Sequence, residues 1–166
     1  SLTSDTAHNA PTTFVKANGN ISIFANNGYV KLNNSTYSGK VILIPKDNDK
    51  FSILEEIGIE GFLPGVVEGE MPIMWNNDAL QAQVIAVRTY VLYKRKIKGN
   101  TLYHINKLDL AYKGSYMNQS KSKEIVDKTR GIVMVYDWNL FPGYFHSTCG
   151  GHTEDINLVF NLRSIP

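Results

Sequence analysis

From Asn77 to Lys98 the apolar residues recur at the period of an α-helix, and this stretch restricts the folds open to the chain more than any other. Leu80, Val84, Val87 and Val91 fall at i, i+4, i+7 and i+11, which lines them along one face. Asn76, Asn77 and Asp78 offer N-cap oxygens, and the charge of Asp78 suits the positive end of the helix dipole. Lys94, Arg95, Lys96 and Lys98 crowd the last turn, and Gly99 follows as the stop. That basic cluster reads as a dipole-matched, solvated helix end ahead of any anion-binding role. A helix with one apolar stripe must bury it against something else, so the flanking elements decide the fold class.

Upstream, the text from Phe14 to Phe51 is strand-like. Ile21, Ile23 and Tyr29 to Leu32 are short β-prone stretches, and Val41 to Ile44 is an apolar run between Gly39 and Pro45. A β meander is the natural expectation there. Downstream, Ser120 to Arg130 reads as a second helix ended by Gly131. Ile132 to Tyr136 and Leu140 to His146 then read as two strands turned by Asp137-Trp138-Asn139. Strands, helix, helix and hairpin without regular alternation predict an α+β fold, β-rich at its N-terminal part, with central helices and a C-terminal β-hairpin and glycine loop.

With 166 residues, 43% of them hydrophobic and 19% charged, the chain suits one folded domain, expected over residues 14–166. Residues 1–13 form a polar segment expected to be flexible. A net charge of +2 is too balanced for a nucleic-acid partner, whose affinity comes from concentrated basic surface. The single cysteine, Cys149, excludes an internal disulfide. No apolar run approaches the ~20 residues that span a bilayer. The first residues also lack the pattern of a signal peptide. The chain is therefore expected to be a fragment of a longer protein, with any membrane anchor outside it.

Two stretches concentrate chemistry. In the first, Glu70 follows Phe62, Leu63, Val66 and Val67, taken as a strand-like approach, and precedes Met71-Pro72. Apolar neighbours disfavour the charged form of a carboxylate, as a general acid requires. The bland alternative is a solvated surface charge, and Glu68 is the expected exposed neighbour. Arg88 lies in register with Ile85 and Leu92, flanking the apolar face of the main helix. A guanidinium there needs an acceptor, which makes it either a structural clamp or a group aimed at Glu70.

The second stretch runs from Tyr144 to Glu154, YFHSTCGGHTE. Gly150 and Gly151 allow positive φ and close backbone approach to a ligand. Three chemistries compete: a Cys149/His nucleophilic pair, a zinc site on His146, Cys149 and His152, and a sugar-binding loop of hydroxyls and backbone donors. Three zinc donors fall short of the four that a structural site takes. Spacing does not choose among them.

Together these stretches resemble the stage II sporulation protein D (SpoIID) family, related to the LytB amidase-enhancer proteins. The resemblance is carried by Gly65 to Trp75 (GVVEGEMPIMW), Asp78 to Leu92 (DALQAQVIAVRTYVL) and Tyr144 to Glu154, in the family's order. It implies a peptidoglycan lytic transglycosylase that cleaves between N-acetylmuramic acid and N-acetylglucosamine on denuded glycan strands. By the same resemblance Glu70 is the catalytic acid and base, and no cofactor is required. Arg88, Tyr90, His146, Ser147, Thr148, Gly150, Gly151 and Glu154 are the residues expected to bind or shape the glycan. The implied setting is extracytoplasmic, in a bacterial cell envelope, with glycan strands and a cell-wall amidase as partners. The alternatives are a glycan-gripping module that stimulates an amidase, and a zinc-dependent hydrolase.

The sequence also departs from the family. Many relatives carry His-Cys-x-x-Tyr-x-Gly between the blocks; here Leu108-Asp109-Leu110-Ala111-Tyr112-Lys113-Gly114 keeps only the Tyr and Gly. A metal site drawing on that pair is not expected. Cys149 and His152 replace commoner Ser and Arg, which leaves them as candidate metal ligands of another kind.

Overall fold

The computed structural model describes residues 19–25, 28–32, 34–47, 50–115 and 120–160. The N-terminal segment expected to be flexible lies outside them. Three short strands and two longer ones come first: β1 (Ile21–Ile23), β2 (Val30–Leu32), β3 (Ser35–Tyr37), β4 (Lys40–Pro45) and β5 (Phe51–Glu56). Four helices and a small hairpin follow: α1 (Ile59–Glu70), α2 (Asn77–Lys98), α3 (Ser120–Lys128), β6 (Val135–Tyr136), β7 (Asn139–Leu140) and α4 (Ile156–Phe160). The architecture is α+β with its strands gathered toward the N-terminus, as the sequence predicts.

The sheet is not the simple meander expected. β4 and β5 pair antiparallel from Lys40↔Glu56 to Pro45↔Phe51, and β1 adds to the other edge of β4 with Ile23 opposite Val41. β2 and β3 form a separate hairpin, Val30 opposite Tyr37, inserted between β1 and β4.

Helix α2 has the predicted bounds. The Asn76 side chain accepts from the Asp78 amide at 2.7 Å, which caps one of the free amides of its first turn. Gly99 ends it at φ 55°, its amide closing onto the Arg95 carbonyl. Leu80, Val84 and Val87 are fully buried. They meet Leu63, Val66 and Val67 of α1, Ile125 and Val126 of α3, and Leu110 from the connection between α2 and α3. Each such side chain is worth about 1.5–3 kcal/mol on burial, so this three-helix junction is the main core.

The largest departure is α1. Phe62, Leu63, Val66 and Val67 are helical, not strand-like, despite Gly61, Pro64, Gly65 and Gly69 in the same twelve residues. These residues have poor helix propensity, and packing overrides it. A Cβ on Gly65 would collide with the Gly114 carbonyl and the Tyr112 ring, and one on Gly69 with the Ala111 carbonyl. The glycines make a trough on α1 into which residues 111–114 are laid. The same connection is fastened by Lys113 N–H to the Gly65 carbonyl (3.2 Å) and Ser115 N–H to the Thr36 carbonyl (2.8 Å). Gly114 crosses Thr36 at φ 83°, where a side chain would strike the Thr36 carbonyl. Residues 106–115 are thus a strap that ties the helices to the β2–β3 hairpin.

The C-terminal hairpin is shorter than expected, only two residues per strand. Asp137 (φ 47°) and Trp138 (φ 60°) form the turn, with both central residues at positive φ. From Phe141 to Asp155 the chain has no strand or helix, so the second strand expected to reach His146 stops at Leu140. Helix α3 ends at Lys128, and Gly131 follows at φ 75°.

Candidate active site

Glu70 is the last residue of α1, so it closes one helix instead of heading the next. The residue is half-buried, and its carboxylate accepts the Ala111 amide on Oε1 at 2.6 Å in an exposed hydrogen bond. The carboxylate stands at the negative end of the α1 dipole, and the amide presents a compensating partial charge to one oxygen. The linker after it exposes Met74 and Trp75 (84% and 54%), while Met71 and Ile73 pack against the core. Sequence alone gives no sign of Ala111, because its contribution is a backbone group placed by the glycine trough.

Asp109, two residues along the strap, is the centre of a second polar group. It accepts Tyr90 Oη–H at 3.0 Å and pairs with Lys94 Nζ at 2.8 Å through Oδ1, and takes the Asn106 amide on Oδ2 at 2.9 Å. Burial works to raise the Asp109 carboxyl, but Lys94, the Asn106 amide and Tyr90 hold it below its ordinary value. Burial, then the Asp109 bond, pushes the Tyr90 phenol up. The bond to Asp109 raises Lys94 against the opposing effect of its burial. Beyond Tyr90 lies Tyr144, with ring centroids 5.9 Å apart, and Phe160 stacks on Tyr144 at 4.5 Å. Farther along the strap, Tyr112 Oη–H donates to Glu55 Oε2 at 2.7 Å, and burial drives its phenol well above the ordinary value.

Arg88 is 1% exposed and acts as a clamp. Nε and Nη2 form a fork on the Glu60 carboxylate at 2.9 and 2.8 Å, and Nη1 donates to the Ile132 carbonyl at 3.1 Å. Of the two roles that the sequence leaves open, these contacts are those of the structural one. Glu68 is not a free exposed neighbour either: it accepts Ser122 Oγ–H of α3 at 2.6 Å.

The glycine loop is on the surface throughout. His146, Ser147, Thr148, Cys149, His152 and Glu154 are all exposed, and Gly150 (φ 64°) and Gly151 (φ 118°) take the positive angles expected of them. His152 Nε2 lies 3.6 Å from Glu154 Oε1. Among the described residues no group of three or more His, Cys, Asp and Glu side chains converges as a metal site, so His146, Cys149 and His152 are not gathered for zinc. The loop's root is joined to the α2 face through Tyr144 and Tyr90, and Gly143 packs against Ala86 and Thr89. A series of contacts thus connects Glu70, the strap and the start of the loop.

The chain belongs to the stage II sporulation protein family, whose sequence model matches residues 47–136, over half of the chain. It is 33% identical over 140 residues to an uncharacterised protein of Brachyspira hyodysenteriae, covering 79% of this chain and 36% of that one. It is 35% identical over 104 residues to the amidase enhancer of Bacillus subtilis, covering 63% of this chain and 14% of that one. It is 26% identical over 137 residues to stage II sporulation protein D of Bacillus subtilis, covering 72% and 40%. The chain spans well under half the length of each of these relatives.

Proposed function

We propose that this domain is a peptidoglycan lytic transglycosylase acting on glycan strands outside the cytoplasm, with Glu70 as its only acid and base. The observation that supports this reading is the Glu70 carboxyl itself: in the family-matched segment, open to solvent, and held on one oxygen by the Ala111 amide. With Oε1 fixed, Oε2 is the oxygen that carries and moves the proton. It protonates the glycosidic oxygen as the C1–O bond of the muramoyl sugar breaks and an oxocarbenium-like centre forms. The carboxylate left behind takes the proton of the muramoyl C6 hydroxyl, whose oxygen closes on C1. The products are an anhydro-muramoyl end and a free N-acetylglucosamine hydroxyl, and no water or second carboxylate enters the balance. Tyr144 and the hydroxyls and amides of residues 146–154 are the groups proposed to hold the strand, with Tyr90, buried and bonded to Asp109, supporting Tyr144 from behind.

A second reading has its own support: one relative is named amidase enhancer, which suits a domain that grips glycan for a partner amidase. Digestion of denuded glycan strands, with mass analysis of the new ends, separates the two. Anhydro-muramoyl ends from wild type, reduced by about 10²–10⁴-fold in Glu70→Gln, are the expected result. Reducing ends would indicate a hydrolase. Strand binding without cleavage by either protein would favour the enhancer reading.

A further inference from the structure

We infer that Asp109 is a positioning residue for Glu70, acting through the strap. This rests on the reading of Glu70 as the acid. The strap reaches Glu70 with a single group, the Ala111 amide, and a backbone amide is only as well placed as the chain that bears it. Two features hold that chain. On the α1 side Ala111 lies in the trough at Gly69, so it cannot move inward. On the α2 side Leu108 is 88% exposed, and the apolar hold on its N-terminal half is Leu110, buried in the core. The polar hold on the same half is Asp109, anchored to Tyr90 and Lys94, one turn apart on the same face of α2.

Asp109 also sets the local shape of the strap. Its Oδ2 takes the Asn106 amide, its own amide donates to the Asn106 carbonyl at 3.0 Å, and the Asn106 side chain takes the Leu108 amide at 2.8 Å. The turn 106–109 is closed at three points, and the following residue, Leu110, is 4% exposed in the core. Asp109 and Leu110 are therefore a polar and an apolar pin, side by side, immediately before the amide that meets Glu70. The polar pin is charged and only 10% exposed, so its pair with Lys94 is a directional tether and not a diffuse surface attraction.

The test uses Asp109→Ala and Lys94→Met, which cut the tether from opposite sides. Amide hydrogen exchange by NMR reads the Ala111 amide, with the Val84 and Val87 amides of α2 as internal controls. Glycan cleavage is measured in parallel. In both variants the Ala111 amide is expected to exchange roughly tenfold faster or more while the α2 controls stay unchanged. In the same variants kcat falls about tenfold or more, and KM stays within about twofold, because misplacing an acid costs turnover and not binding. An unchanged Ala111 exchange rate overturns the inference. So does acceleration in step with Val84 and Val87, which would make the cluster a stability element alone, or an unaltered kcat in an active enzyme. If wild type cleaves nothing while Ala111 responds as stated, the positioning stands and the reaction assigned to Glu70 falls.

Discussion

Gly69 carries a cost that its place in α1 does not by itself explain. Replacing a helical glycine by alanine ordinarily gains about 1 kcal/mol. Here the new methyl would run into the Ala111 carbonyl, a backbone atom that cannot swing aside as a side-chain tip would. Overpacking of that kind costs about 1–3 kcal/mol, so the balance is a net loss. Gly69→Ala is expected to stay folded, to lower the urea midpoint, and to slow glycan cleavage, since what it displaces bears the amide on Glu70. A higher midpoint with full activity would show that the trough is not tight. The positive φ of Gly150 and Gly151 was legible from residue type alone. Ala111 was not, because a backbone donor leaves no mark in residue type.

Among the elements, α2 was legible to the residue: a 3.6-residue period, a cap and a glycine stop all agree. The α1 segment was not, because four residues that disfavour helix lie within it, and two of them, Gly65 and Gly69, are there to receive the strap. The C-terminal hairpin was legible in its turn but not in its two-residue length, and the β2–β3 pair was not legible as separate, since that depends on β1 pairing with β4 instead. The strap itself makes a prediction about pH. Asp109 is held below its ordinary value of 3.8, so its tether contributes fully above that value and is lost as pH falls beneath it. Lys94 is raised above its ordinary 10.5, so its share is present below that value and is lost only as pH rises past it. The stability difference between wild type and Asp109→Asn should therefore be level from about pH 5 to pH 9 and shrink toward pH 3. Denaturant titration at each pH reads it, and a difference that grows in acid would contradict the assigned pair.

For the molecule as a whole, Arg88 joins α1, α3 and the segment before the C-terminal hairpin to α2. It takes Glu60 of α1 in a fork, faces Thr129 and the Val126 carbonyl at the end of α3, and reaches the Ile132 carbonyl before the hairpin. These partners lie 28 to 44 positions away in sequence, which is why residue type and helical phase could pose the clamp as one of two roles without choosing it. Arg88→Met keeps the side chain's length and apolar stem but leaves Glu60, only 22% exposed, without its cation. Removing one partner of such a pair costs about 3–5 kcal/mol, a large part of the roughly 5–15 kcal/mol that a domain has. Most of that loss comes from the orphaned carboxylate. Arg88→Met combined with Glu60→Gln should consequently lose less than the two single variants added together, by urea midpoints at neutral pH. Simple additivity would mean that Glu60 finds water or another cation when Arg88 is gone, and that the three helices are held by their apolar junction alone.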